Sequence, residues 1–132
     1  MIRIGPSIRT GCAAQQQEVR DGDRTIPEEM MASLPESNEI VAFGLLRNFL
    51  FTREDLRKRV SNLSGGERNC LQLAALMKLK PNFLILAEPT NYLDIPAREA
   101  VEDALADCEG SILVVSHDRY FLDKFVIRVI EL

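Results

Sequence analysis

Two short, unbroken apolar runs, Phe83-Leu84-Ile85-Leu86 and Ile112-Leu113-Val114-Val115, set the tightest limit on what this chain can fold into. A strand with water on one side alternates apolar and polar residues, whereas a continuous apolar run suits a strand covered on both faces, as in parallel sheets flanked by helices. Around the runs the period changes. Cys70, Leu73, Ala74 and Met77 share one helix face, and Ala97, Ala100, Val101, Ala104 and Leu105 line another. Pro81 separates the first helix from the first run, and Gly110 suits the C-terminal stop of the second helix. From residue 61 the order is turn, helix, strand, turn, helix, strand, helix, strand, which predicts an α/β layer fold with a parallel sheet.

Upstream, Ala42, Leu45, Leu46, Phe49 and Leu50 recur at helical spacing behind the candidate caps Ser37 and Asn38, predicting a helix of about three turns. Thr52 with Asp55 reads as a capping box opening a second, basic helix up to about Arg59. The basic cluster Arg53, Arg57, Lys58 and Arg59 fits a solvated helix face, with a local nucleic-acid patch as the other reading. Residues 12–38, rich in Gln, Glu, Asp, Pro and Ser, predict a loop or mobile connector that builds no core.

Composition narrows the class. A chain of 132 residues, 46% hydrophobic and 27% charged, fits one globular domain. No apolar run reaches the roughly twenty residues of a membrane span, and Met1 to Gly11 lacks a secretory block, so a cytosolic chain is expected. Cys12, Cys70 and Cys108 are odd in number and widely spaced, which predicts reduced thiols rather than disulfides or a metal pair. A net charge of -4 argues against wrapping nucleic acid by charge alone.

Three segments carry chemistry. Leu63-Ser64-Gly65-Gly66-Glu67 opens a helix after a loop; its glycines let backbone N–H groups approach an anion, and Ser64 can cap the helix and donate to a phosphate oxygen. An ordinary glycine-rich cap is the bland alternative. Glu88 follows the first apolar run, at the strand end where open α/β sheets bind ligands, with Asp94 in the turn beyond. There it can polarise an attacking water, or be no more than a solvated carboxylate. His117, in Ser116-His117-Asp118, ends the second run and is the chain's single histidine. These consecutive residues do not make a hydrolase triad, whose members converge from separated places.

Taken in order, Leu63 to Glu67, Glu88-Pro89-Thr90-Asn91-Tyr92-Leu93-Asp94 and Ser116-His117-Asp118-Arg119-Tyr120-Phe121-Leu122 resemble the signature, the Walker B segment with its D-loop, and the switch histidine of ATP-binding cassette (ABC) ATPases. The Thr-Asn-Tyr-Leu-Asp turn and the form of the switch resemble the ABC-F branch, soluble factors that act on ribosomes. The resemblance implies a partial P-loop NTPase-type nucleotide-binding domain, with a Q-loop and connector over 1–36, a helical subdomain over 37–80 and a core part over 81–132. It implies Glu88 as general base, His117 on the γ-phosphate, and Ser64, Gly65, Gly66, Glu67 and Asp94 as nucleotide-side residues. Gln15 is similar to the Q-loop glutamine that contacts the metal and the attacking water on the nucleotide side, with Gln16 and Gln17 as alternatives. ATP and Mg²⁺ are the implied cofactors. A second cassette and the ribosome are the implied partners, the signature acting in trans.

The departures are equally specific. No G-x-x-x-x-G-K-[ST] occurs, and none of Lys58, Lys78, Lys80 and Lys124 follows a glycine. The expectation is a cassette that begins partway through and is inactive alone. Ala87 stands where an acidic residue would hold Mg²⁺ through water, and Cys70 where the family usually carries a basic residue. A transporter's ATPase subunit and a degenerate, non-catalytic interaction module are the competing readings.

Overall fold

The computed structural model describes residues 5–13, 22–32 and 38–128. Strand β1 (Thr10–Ala13) leads to helices α1 (Ile26–Ala32) and α2 (Glu39–Asn48), then two single 3-10 turns at Asp55–Arg57 and Val60–Asn62. Helix α3 (Gly65–Lys78), strand β2 (Phe83–Ala87), helix α4 (Ile95–Ala106), strand β3 (Ser111–Val115) and helix α5 (Arg119–Phe125) follow. The strands form one parallel sheet in the order β1-β2-β3, with Cys12 beside Ile85 and Ile85 beside Leu113. The α/β class and the parallel sheet are those expected.

The sheet has one packed face and one open face. Ala13, Leu84 and Leu86 are buried on the packed side, in a core with Ile26, Met30, Leu46, Leu73, Ala74, Val101 and Phe121. Burial of each large apolar side chain stabilises the fold by about 1.5–3 kcal/mol relative to exposure. On the other side Leu113 and Val115 are 46% and 62% exposed, so the expectation that both apolar runs are covered on both faces fails for β3. A sheet face is covered only by what packs above it, and among the described residues the element that β3 mainly meets is its neighbour β2.

Two further expectations need correction. The stretch read as a coreless connector holds the second half of β1 and all of α1, whose Ile26 and Met30 are among the most buried side chains. Its signal was local: Glu28 accepts a 2.7 Å hydrogen bond from the Thr25 backbone N–H, with Pro27 in the first turn where its missing donor costs nothing. The basic helix to Arg59 does not form. Thr52 and Asp55 do cap each other, at 2.8 Å and 3.3 Å, but Lys58 and Arg59 turn extended. An antiparallel bridge from Arg59 to Thr25 and the burial of Val60 hold the chain there in place of a second helical turn.

Helix α2 starts where expected, Asn38 accepting from the Val41 N–H at 2.9 Å, and buries Ala42 and Leu46. Its continuation ends at Leu50, which is left-handed (φ 69) and exposed, while Phe49 and Phe51 tuck inward. Gly110 (φ +147) reverses the chain into β3, and a Cβ there would come within 2.4 Å of the Asn82 carbonyl oxygen, so only glycine fits. The strand expected after α5 falls at residues 126–128, which are irregular, and beyond the described residues.

Candidate functional site

Strands β2 and β3 run parallel and in register, so their C-terminal ends deliver Glu88 and Ser116-His117 to one place. The Glu88 N–H donates to the Val115 carbonyl at 2.7 Å, which carries the sheet one residue past β2. The Glu88 carboxylate, with its side chain 14% exposed, lies 3.5 Å from the His117 Nε2 and 3.3 Å from the His117 backbone N–H. Ser116 Oγ donates to the same carboxylate at 3.4 Å. The His117 ring itself is 99% exposed. The result is a sheltered carboxylate facing an accessible imidazole, an arrangement able to accept a proton and to contact an anion beside it.

Asp118 secures this corner. It caps α5 by accepting from the Phe121 N–H at 3.2 Å, takes a 2.8 Å ion pair from Arg98 of α4, and accepts from Thr90 Oγ1 at 3.3 Å. Thr90 and Asp118 stand in the motifs without a role of their own, and Arg98 stands in none of them. Asp118 had a visible signal, an N-cap residue directly before a helix, but the Arg98 partnership joins separate elements and no local pattern announces it.

The signature turn is built differently. Ser64 is the N-cap of α3: its Oγ accepts from the Glu67 N–H at 3.1 Å and the Glu67 carboxylate accepts from the Ser64 N–H at 2.8 Å, a complete capping box. Glu67 also pairs with Lys58 at 3.0 Å. The Ser64 N–H first, then Lys58, holds the Glu67 carboxyl below its usual range. Asp94 caps α4 in the same way, accepting from the Ala97 N–H at 3.0 Å. Ser64, Gly66, Glu67, Tyr92, Leu93 and Asp94 line one cavity of about 220 Å³, with Cys70 in its wall. Burial foremost, then the Asp94 and Glu67 carboxylates, pushes the Cys70 thiol up to about 11, so it is no nucleophile near neutrality.

Gly65 lies under the Tyr92 ring, and Gly66 lies so close to the Tyr92 carbonyl oxygen that a Cβ would come within 2.6 Å of it. The structure thus brings Glu88 and His117 together, and separately gathers Ser64, Gly65, Gly66, Glu67 and Asp94 around the turn between Pro89 and Asp94. Asn69, unnoticed in the sequence, bridges the two groups by donating its side-chain amide to the Pro89 carbonyl at 2.7 Å. Gln15, Gln16 and Gln17 lie outside the described residues. At the position expected to hold Mg²⁺, Ala87 offers only a methyl group at the end of β2. Among the described residues no three His, Cys, Asp or Glu side chains gather as metal ligands, so these residues do not fit a Mg²⁺ site of their own.

The sequence model of the family described as ABC transporter matches residues 6–91. YdiF of Bacillus subtilis is 43% identical over 131 residues, covering 99% of this chain and 20% of that protein. The energy-dependent translational throttle protein EttA of Escherichia coli K12 is 36% identical over 134 residues, 98% of this chain and 24% of that one. ABC transporter F family member 5 of Arabidopsis thaliana is 40% identical over 116 residues, 88% and 17% of the two chains. The chain therefore spans about a fifth of the length of these curated relatives. Among solved structures, the dimeric ATP-binding cassette MJ0796 bound to ADP and Pi superposes with a TM-score of 0.72 at 20% identity, covering 89% of this chain and 56% of that one. That match speaks to the fold.

Proposed function

Because the chain belongs to the ATP-binding cassette family described as ABC transporter and is similar to its ABC-F members, we propose that it supplies the signature and the general base of an ATP-hydrolysing cassette acting on the ribosome. The reading rests above all on the sheltered Glu88 carboxylate facing the exposed His117 ring at 3.5 Å across the ends of two parallel strands. In it, Glu88 accepts the proton of an attacking water and His117 donates a hydrogen bond to the terminal phosphoryl oxygen. Ser64 Oγ and the Gly66 N–H contact the phosphates of ATP held by a second cassette. Mg²⁺, which the family uses, supplies charge neutralisation between the phosphates when bound. In this reading residues 38–80 are the helical part of the cassette, and 81–128 with β1 beside them are the core part. The ribosomal assignment follows the translational role in the name of EttA, and a cytoplasmic setting goes with it. No helix among the described residues is long and apolar enough to cross a membrane.

A second reading, a non-catalytic interaction module, is favoured by Ala87, which offers no carboxylate at the end of β2. The two separate in a chimera that joins this chain to the upstream half of a complete relative. Glu88→Gln is expected to abolish turnover while ATP binding persists, because the amide keeps the shape but accepts no proton. Turnover unaffected by Glu88→Gln, or absent from the parent chimera, would sink the catalytic reading.

A further inference from the structure

The turn that carries Glu88 is bounded by strained backbone. Glu88 and Tyr92 are both left-handed, with φ of 51 and 63, a conformation side-chain-bearing residues keep only where their surroundings over-determine it. From the strand side, Glu88 is held by its N–H to the Val115 carbonyl at 2.7 Å, and the turn closes on itself through the Asn91 N–H to the Glu88 carbonyl at 3.1 Å. Thr90 Oγ1 donates to Asp118 at 3.3 Å, and two further constraints come from α3. Asn69 Nδ2 donates to the Pro89 carbonyl at 2.7 Å, beside Glu88, and the Cβ-less surface of Gly66 receives the Tyr92 carbonyl at the other end. Gly66 and Asn69 are three residues apart and therefore neighbours on one helix face, so a single rigid turn of α3 grips both ends of the base-carrying turn.

We infer that Asn69 is a positioning residue that ties the signature helix to the Glu88 turn, so that a displacement of the Ser64 end of α3 is passed to the carboxylate facing His117. The inference rests on the reading of Glu88 as the base. The coupling itself is physical and needs no nucleotide. Asn69 is half-buried in the side of α3, outside the cavity lining, and among the described residues its side chain reaches across to the Pro89 carbonyl. Fixing the Pro89 carbonyl limits rotation of the backbone directly after Glu88. The link also runs in the other direction, since anything that pulls on Glu88 pulls on the helix that presents Ser64 and Gly66.

The test uses the whole 132-residue chain, in which the single histidine makes the His117 ring proton an unambiguous NMR reporter of its neighbour Glu88. Asn69→Asp keeps the side-chain shape but replaces the donor with an acceptor. It is expected to shift the His117 ring signal and to speed hydrogen exchange at the Asn91 and Leu93 amides by about ten-fold, while Leu73 and Ala74 in the interior of α3 keep their protection. Asn69→Gln, which retains a donor, should preserve the His117 signal and most of the protection. Asn69→Ala removes the donor without adding charge and carries the expectation of the aspartate variant should that one not fold. An unchanged His117 signal and unchanged exchange in the variants lacking the donor would overturn the inference, as would a loss spread equally over Leu73 and Ala74. Such a result would leave the ATPase reading standing, whereas the failure of Glu88→Gln in the chimera would remove that reading and leave the link in place.

Discussion

Ser64 sits in a turn fixed by a capping box of its own and set against a buried helix face, whereas His117 sits at the end of an edge strand whose outer side chains meet solvent. The signature end is specified locally: Ser64, Glu67 and the N–H groups between them are within three residues of one another, and Leu71, Leu73 and Ala74 anchor the helix they open. The switch end depends on partners far along the chain, Arg98 and Glu88, and on a sheet with one uncovered face. A site half made of local capping and half made of tertiary alignment should respond unevenly to damage. The contrast makes three measurable demands.

The largest effect should come from the two faces of the sheet. Leu84 is fully buried and Leu113, one residue away from its register partner on β3, is half exposed. Leu84→Ala should cost about 3 kcal/mol, the range for truncating a buried leucine. Leu113→Ala should change stability by about 0.5 kcal/mol or less, as expected for an exposed side chain. Urea denaturation of both variants decides the matter. Comparable losses would mean that the outer face is packed as well as the inner one, and the contrast between the ends would fail.

The two signature glycines give a sharper and smaller effect. A Cβ on Gly66 would meet the Tyr92 carbonyl oxygen at 2.6 Å, whereas one on Gly65 would meet the Tyr92 ring at an ordinary 3.7 Å. Gly66→Ala should therefore cost about 1–3 kcal/mol, because backbone must move to make room. Gly65→Ala should be neutral or slightly stabilising, by up to about 1 kcal/mol, since alanine is the better helix former. Thermal melts of the pair test this, and equal shifts would show that the turn from Pro89 to Asp94 yields freely to α3.

Much of this arrangement was legible in the amino acids, and the gaps follow a physical rule. The capping boxes, the strand runs and the placement of Glu88 and His117 at strand ends are written within a few residues of each other, where period and cap chemistry act directly. Thr25-Ile26-Pro27-Glu28 was equally local but hidden by a polar setting, so α1 went unseen although the cap signature was present. Asn69 and Arg98 were not legible at all, because each acts on a residue brought near only by the sheet and its crossovers. The shortened basic helix shows the opposite failure: a correct local cap at Thr52 was overruled after one turn by the bridge from Arg59 to Thr25 and the burial of Val60.

The smallest effect tests whether the signature end really is held by its own charges. The Asp55 carboxylate accepts from the Thr52 N–H at 2.8 Å and its Oγ1 at 2.7 Å and pairs with Lys58 at 2.7 Å, and Lys58 passes the connection to Glu67 at 3.0 Å. Lys58 first, then the Thr52 hydrogen bonds, draws the Asp55 carboxyl down from 3.8 to about 2. Its folded value lies below its unfolded one, so the stabilisation is complete above the unfolded value of 3.8 and is lost as pH falls towards about 2. Lys58 is 42% exposed, so solvent screens the pair and Asp55→Asn should cost no more than about 1 kcal/mol at neutral pH. Glu67 is drawn down as well and titrates in both proteins, so acid weakens each of them; only the difference between them reports on Asp55. Melting temperatures followed from about pH 6 to about pH 2 should therefore converge, the wild type losing its advantage between the two Asp55 values. A gap that stays constant over that window would mean that Asp55 contributes through shape and neutral hydrogen bonds, and that charge plays no part in fixing the turn before the signature helix.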